Sequence, residues 1–266
     1  MPQRDLEVKM NSSKFRTNTL PYLASIVGVG IVLEIIAGIV DQVYFPKISK
    51  VIVRLGSLLS DGEVLTDFGR SLQNLFIGFL ISVVLGVSIG VLCGRRASVE
   101  RMIRPYVNIM LTSPSILLLP IYFAVFGISR WAIIVLIIDY SVFFLIVSTT
   151  TAIRGVNTEI VEMSKVFGAS ERQQLRSIYL PSAAPVVFGA LRIALGRAIK
   201  GMINGELFIA VIGIGARSQN FARRFDMEGV FALAILVVGV ALILGFILNI
   251  IDGRVNKWVP SIRRNG

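Results

Sequence analysis

The chain alternates long apolar runs with short polar segments. The runs fall at about 20–40, 70–93, 105–126, 131–153, 184–212 and 229–251. Each approaches or exceeds the ~20 residues that a helix needs to cross a hydrocarbon core about 30 Å thick. Only helices and closed barrels satisfy every backbone polar group in lipid. The pattern therefore predicts an all-α integral membrane protein with about six transmembrane helices. Residues 1–19 read as a polar N-terminal segment, 20–251 as the transmembrane domain and 252–266 as a polar tail. The run from Leu20 to Val40 is longer than the apolar core of a cleavable signal, so it reads as an uncleaved first helix.

Between the first two runs, Ile48, Val51, Ile52, Leu55, Leu58 and Leu59 recur at helical spacing. This predicts an amphipathic helix within Pro46 to Leu59, lying on the membrane surface. The third run contains Pro114 and Pro120, which donate no backbone hydrogen bond. It is expected to be one kinked span, either an ordinary kink or a helix that lines a pathway.

Charge sharpens the picture. The net charge is +11, but the basic residues lie mostly between the apolar runs, where membrane topology places them. Nucleic acid is therefore not an expected partner; the lipid bilayer is. Sixteen lysines and arginines fall in one set of segments, in 1–19, 94–104, 154–183 and 252–266. Eight fall in the opposite set and three in the fifth run. The richer side is cytoplasmic by the positive-inside rule, which puts both termini in the cytoplasm.

Missing residue types exclude chemistry. There is no histidine, hence neither the commonest general base nor the commonest metal ligand. Cys93 is the single cysteine, so no intrachain disulfide forms. No G-x-x-x-x-G-K-[ST] phosphate cradle occurs, so any ATP hydrolysis belongs to a partner. No catalytic residue and no metal site is expected, and a membrane enzyme fits poorly.

The segment 154–183 is the longest cytoplasmic loop. Asn157 or Thr158 can cap a short helix running to about Phe167. Gly168 breaks it through a left-handed conformation. Ser170, with Gln173 in capping-box spacing, starts a second helix, which Pro181 is expected to end. Two short helices with a bend are predicted outside the membrane.

These residues carry a resemblance. Glu162-Met163-Ser164, then Gly168, Ile178, Leu180 and Pro181 match the spacing E-A-A-x3-G-x9-I-x-L-P, with both alanines replaced. The pattern is the EAA motif of ABC importer permeases, and the chain resembles that family from about Thr66 to Val259. Several residues are most similar to the nitrate/sulfonate/taurine branch: Ser113-Pro114, Leu119-Pro120, Phe126-Gly127-Ile128, Leu191-Arg192, Gly213-Ile214-Gly215 and Phe225-Asp226. Ser148-Thr149 departs from the asparagine-threonine pair of that branch.

The resemblance implies a type I ABC importer permease fold in the cell inner (cytoplasmic) membrane. It implies a second permease subunit, read as a homodimer, and two ABC ATPase subunits that carry the ATP and Mg2+. An external, periplasmic solute-binding protein would deliver a small anionic solute. Within 157–180 it implies a coupling helix that docks in the ATPase through Glu162, Ser164, Gly168, Ala169, Ser170, Ile178, Leu180 and Pro181. The rival to the coupling helix is an interfacial amphipathic helix with no partner. The rival to the whole reading is an ATPase-independent channel or secondary transporter, which has no use for this motif.

Ionisable residues inside spans are functional candidates by default. Glu34 and Asp139 are isolated acids, and Arg192 lies close enough to the cytoplasmic face to snorkel. Arg197, Lys200 and Asn204 share one helix face beside Gly201 and Gly205. Such a cationic stripe faces either an acid on another helix, with Glu34 or Asp139 as candidates, or a water-filled path. Together with Pro114 it forms the candidate translocation path.

Overall fold

The structure, a computed structural model, describes residues 21, 24, 25, 27–39, 44–209 and 211–255. Every regular element among the described residues is helical. The order is α1 (Val27–Ile39), α2 (Ile48–Leu59), α3 (Gly62–Arg95), α4 (Ala97–Thr112), a 3-10 turn (Ser115–Leu118) and α5 (Leu119–Phe126). Then follow α6 (Arg130–Arg154), α7 (Thr158–Val166), α8 (Glu171–Gln174), a π-helical turn (Leu175–Tyr179), α9 (Leu180–Ile209), α10 (Gly213–Arg223) and α11 (Met227–Val255). By length and apolar character α3, α6, α11 and the continuous run Glu171–Ile209 can each cross a membrane. The predicted first span includes α1; several of its other residues, segment 1–19 and most of 252–266 lie outside the described residues.

Two expectations need correction. The third run breaks far more sharply than a kink: two helices, α4 and α5, meet at 97°. Pro114 pushes Ser113 out of the helical region to φ −72°, ψ 135°, and the chain re-enters through the 3-10 turn. Pro120 then sits in the first turn of α5, where its missing donor costs nothing. Nor does Pro181 end the second cytoplasmic helix. The Leu180 amide bonds the Leu175 carbonyl in a π turn, and the helix runs unbroken from α8 into α9. A proline just after that widened turn lies in the first turn of α9, where the ordinary ladder has already been interrupted.

The chain divides into two compact units. In the larger, Gly62–Asn220 with residues from Leu236, α6 is the central helix and packs on α3 and α9. Its apolar residues Ile133, Ile134, Leu136 and Ile137 are all buried, as expected of a helix enclosed on several sides. Small residues of α3 at four-residue spacing set the approach to α6. A Cβ added at Gly78, Gly86, Gly90 or Gly94 would lie 2.5–2.8 Å from Ile137, Leu145, Thr149 or Ile153. Ser82 completes the stripe and accepts a hydrogen bond from Ser141 at 2.8 Å. Apolar tails gain little by leaving lipid, so close packing and interhelical hydrogen bonds hold such a pair.

The smaller unit holds residues up to Asp61 and Phe221–Ile235. Arg54 of α2 lies 5.4 Å over the Phe221 ring and pairs with Asp226 at 2.6 Å. Glu34 accepts from the Ser49 amide and hydroxyl at 3.2 and 2.7 Å.

Candidate functional site

The segment singled out by its motif folds as a bent pair, α7 and α8. Asn157 caps α7 by accepting from the Glu159 amide at 2.8 Å. Gly168 ends it at φ +77°, and the Gly168 and Ala169 amides bond the Lys165 and Ser164 carbonyls, both at 2.9 Å. Ser170 caps α8 in a full capping box with Gln173. Buried Gln174 donates to the Ala169 carbonyl at 3.2 Å and closes the bend. Arg95 at the end of α3 fixes this pair, bonding Glu171 at 3.1 Å and stacking over Tyr179.

The motif residues divide by exposure. Glu162 and Ser170 are exposed, as are Gly168, Leu180 and Pro181, while Ala169 and Ile178 are half-buried. The Ser164 hydroxyl turns back to the Val161 carbonyl at 2.7 Å. The sequence reading missed the apolar face beside them. Ile160, Met163 and Phe167 follow i, i+3, i+7 spacing, with Val166 next to them, and all four are exposed. Val166 and Phe167 are 87% and 83% exposed, although tens of apolar side chains elsewhere are buried. Loop polarity drew attention to the caps and away from this patch.

Of the path candidates, Arg197, Lys200 and Asn204 lie along α9. The Arg197 guanidinium sits 4.6 Å over the Phe144 ring, and Asn204 donates to the Tyr140 hydroxyl at 2.8 Å. Lys200 is exposed, and no carboxylate among the described residues pairs with it or with Arg197. Arg192 instead reaches Asp252 of α11 at 3.5 Å. Pro114 is exposed at the break between α4 and α5, away from the α9 stripe in sequence. Asp139 is buried on α6 with the Ser115 and Tyr122 hydroxyls facing it, and its Oδ2 has no hydrogen-bond partner among the described residues.

A cavity of about 310 Å³ lies near the α7–α8 end of α3 and α6. Glu100, Arg104 and Asn108 line it at four-residue spacing from α4, facing Thr151 and Arg154 of α6; Glu100 and Arg154 form an ion pair. That i, i+4, i+8 polar stripe was readable in the sequence. Glu206, on a different face of α9 from the cationic stripe, was given no role by the sequence. It is fully buried and accepts from Ser71 at 2.9 Å and from the Gly215 amide at 3.0 Å.

The family described as "Binding-protein-dependent transport system inner membrane component" matches residues 64–257. The formylaminopyrimidine transport permease protein ThiX of Halalkalibacterium halodurans is 31% identical over 217 residues, covering 81% of this chain and 86% of its own. The putative aliphatic sulfonates transport permease protein SsuC of Bacillus subtilis is 27% identical over 225 residues, covering 84% and 81%. Among solved structures, a chain of the inward-facing MetNI methionine ABC transporter aligns with TM-score 0.64 at 22% identity. That alignment covers 73% of this chain and 97% of the other.

Proposed function

We infer the working assembly from one premise: the chain belongs to the family of binding-protein-dependent transport system inner membrane components. It is a multi-pass membrane protein, the permease subunit of an ABC-type importer, with the helical fold of that transporter class. The observation that carries the mechanism is the bent pair α7–α8, which offers an exposed apolar face on a rigid, fully capped turn.

Two copies of the chain pair in the inner membrane, with six spans and both termini cytoplasmic. Each docks one ABC ATPase subunit through α7 and α8, and the ATPases hold the ATP and Mg2+. Val166, Phe167 and Met163 enter an apolar groove of the ATPase, while Glu162 and Ser170 meet its polar rim. Closure of the ATPase pair on ATP moves α8, and the unbroken helix transmits that movement along α9 as a rigid body. Arg197, Lys200 and Asn204 ride on that helix, so the gating motion and the pathway share one element.

The solute proposed is small and anionic. Its support is the cationic stripe that no carboxylate neutralises among the described residues. SsuC is named for aliphatic sulfonates and ThiX for formylaminopyrimidine, so the relatives' names span an anion and a nitrogen heterocycle.

The test is reconstitution in liposomes with the cognate ATPase and binding protein. ATP-driven uptake of the binding protein's ligand is expected. Uptake that proceeds without any ATPase subunit would favour the channel or secondary-transporter reading.

A further inference from the structure

Two helices in this chain end in the same backbone motif, with different residues at the critical position. At the end of α7 the left-handed residue is Gly168. At the end of α10 it is Phe225, with φ +57°. There the Phe225 amide bonds the Ala222 carbonyl at 3.1 Å and the Asp226 amide bonds the Phe221 carbonyl at 2.9 Å. Glycine is the ordinary occupant, because a Cβ is strained in this region. Phe225 is the one non-glycine residue with positive φ among the described residues.

Burial does not compensate the strain, since the Phe225 side chain is 57% exposed. Its one ring contact among the described residues is edge-on with Tyr44, itself 61% exposed, at 6.0 Å and 74°. The turn beneath is pinned. Asp226 accepts from the Gly229 amide at 2.8 Å to cap α11, and its other oxygen holds Arg54 of α2. Lys50 of α2 lies 3.6 Å from Glu228. The cap and ion pairs thus hold the turn from which the Phe225 ring projects beside Tyr44.

The surroundings are cationic. Segments 44–60 and 221–230 together carry Lys47, Lys50, Arg54, Arg223 and Arg224 against Asp226 and Glu228. Arg224 is exposed beside the ring. Exposed aromatics with arginine are the residue types that carry binding energy at protein interfaces. A lipid headgroup region also attracts aromatics and cations, but it is fluid and accepts a ring in any pose. A strained pose has value only against a partner with a fixed socket.

We propose that Tyr44, Phe225 and Arg224 form a cation-rimmed aromatic knob that docks the external solute-binding protein through an apolar socket with an acidic rim. This rests on the importer reading and on the external placement of 41–69 and 213–228. The docking sets which binding protein the importer accepts, and the charges steer its approach.

The test uses the full importer in nanodiscs, with its cognate binding protein as probe. Phe225→Gly removes the ring and the strain together, so folding is retained. Basal ATP hydrolysis should be unchanged, binding-protein affinity should fall at least about ten-fold, and stimulation of hydrolysis should fall with it. Arg224→Glu should slow association and flatten its salt dependence. Wild-type affinity and stimulation in Phe225→Gly would overturn the knob while leaving the importer intact. Unchanged docking with altered dependence on anionic lipid would overturn it in favour of a membrane anchor. A wild-type complex that no binding protein stimulates would overturn the importer reading and the knob with it.

Discussion

Ser71 of α3 and Glu206 of α9 are joined by a buried hydrogen bond of 2.9 Å, while the Ser71 hydroxyl oxygen also accepts from the Ile214 amide at 3.0 Å. One serine thus ties two membrane helices to the turn that follows α9. The glycines of that turn have a steric reason. A Cβ at Gly213 would collide with the Glu206 carboxylate, and one at Gly215 would lie 2.6 Å from the Glu206 Cβ.

Removing the serine hydroxyl strips a donor from the carboxylate and an acceptor from the amide in a buried site. Ser71→Ala should therefore cost about 1–3 kcal/mol. Gly215→Ala should cost more, because backbone rather than a flexible tip must give way. Thermal unfolding of the detergent-solubilised chain checks the order, and a Gly215→Ala midpoint at or above that of Ser71→Ala would contradict it.

Gly168 differs, since a Cβ there would meet nothing within 4 Å among the described residues. Only its φ of +77° opposes a side chain. Gly168→Val should insert normally and lose ATPase binding or coupling, at a conformational cost of roughly 1–2 kcal/mol. Gly168→Asn, which tolerates the left-handed region, should retain most of both. Co-purification of the ATPase separates the two variants, and full transport by the valine variant would end the docking assignment.

Legibility followed the range of the interactions. The caps at Asn157 and Ser170 and the bend at Gly168 are local, and the sequence alone predicted all three. The small-residue stripe Gly78, Ser82, Gly86, Gly90 and Gly94 was equally visible but needed α6 as partner to acquire meaning. The 97° break lay beyond reach, because two prolines can either kink a span or divide it. Pro181 misled for a related reason: the usual rule assumes an ordinary ladder, and the chain uses a π turn there. Glu206 looked unremarkable because its partners are 135 and 9 residues away.

Asp139 is a buried acid whose Oδ2 lacks a hydrogen-bond partner among the described residues, and such a group lowers stability. The prediction is that Asp139 serves transport rather than stability. Asp139→Leu should raise the thermal midpoint or leave it unchanged while slowing uptake. Asp139→Asn, which still accepts from Ser115 and Tyr122, should fall between. A leucine variant that transports at the wild-type rate would reduce Asp139 to an accident of packing.

The topology can be read with cysteine labelling. The single native cysteine, Cys93, is buried, so background should be low. Cysteines placed at Ser12 and Ser261, which lie outside the described residues, should react only from the cytoplasmic side. Labelling of either in intact cells by an impermeant reagent would reverse the orientation.

Lys200 decides between the two readings of the α9 stripe. A structural ion pair requires a carboxylate at contact distance, and its loss would leave that acid unpaired at a cost of about 3–5 kcal/mol. Lys200 is exposed instead, and Glu34 is engaged by Ser49. A pathway lysine is solvated in at least one state, so folding does not depend on its charge. Lys200→Gln should assemble, bind the ATPase and dock the binding protein like the wild type, yet move an anionic solute more slowly. Its neighbours sharpen the test. Asn204 is held by the Tyr140 hydroxyl and Arg197 by the Phe144 ring, which leaves Lys200 as the stripe's exposed charge. The transport loss in Lys200→Gln should shrink in high salt, because screening weakens what the lysine contributes to the wild type. Poor expression of Lys200→Gln, restored by neutralising Asp139 or another acid, would identify an ion pair and remove the stripe from the pathway.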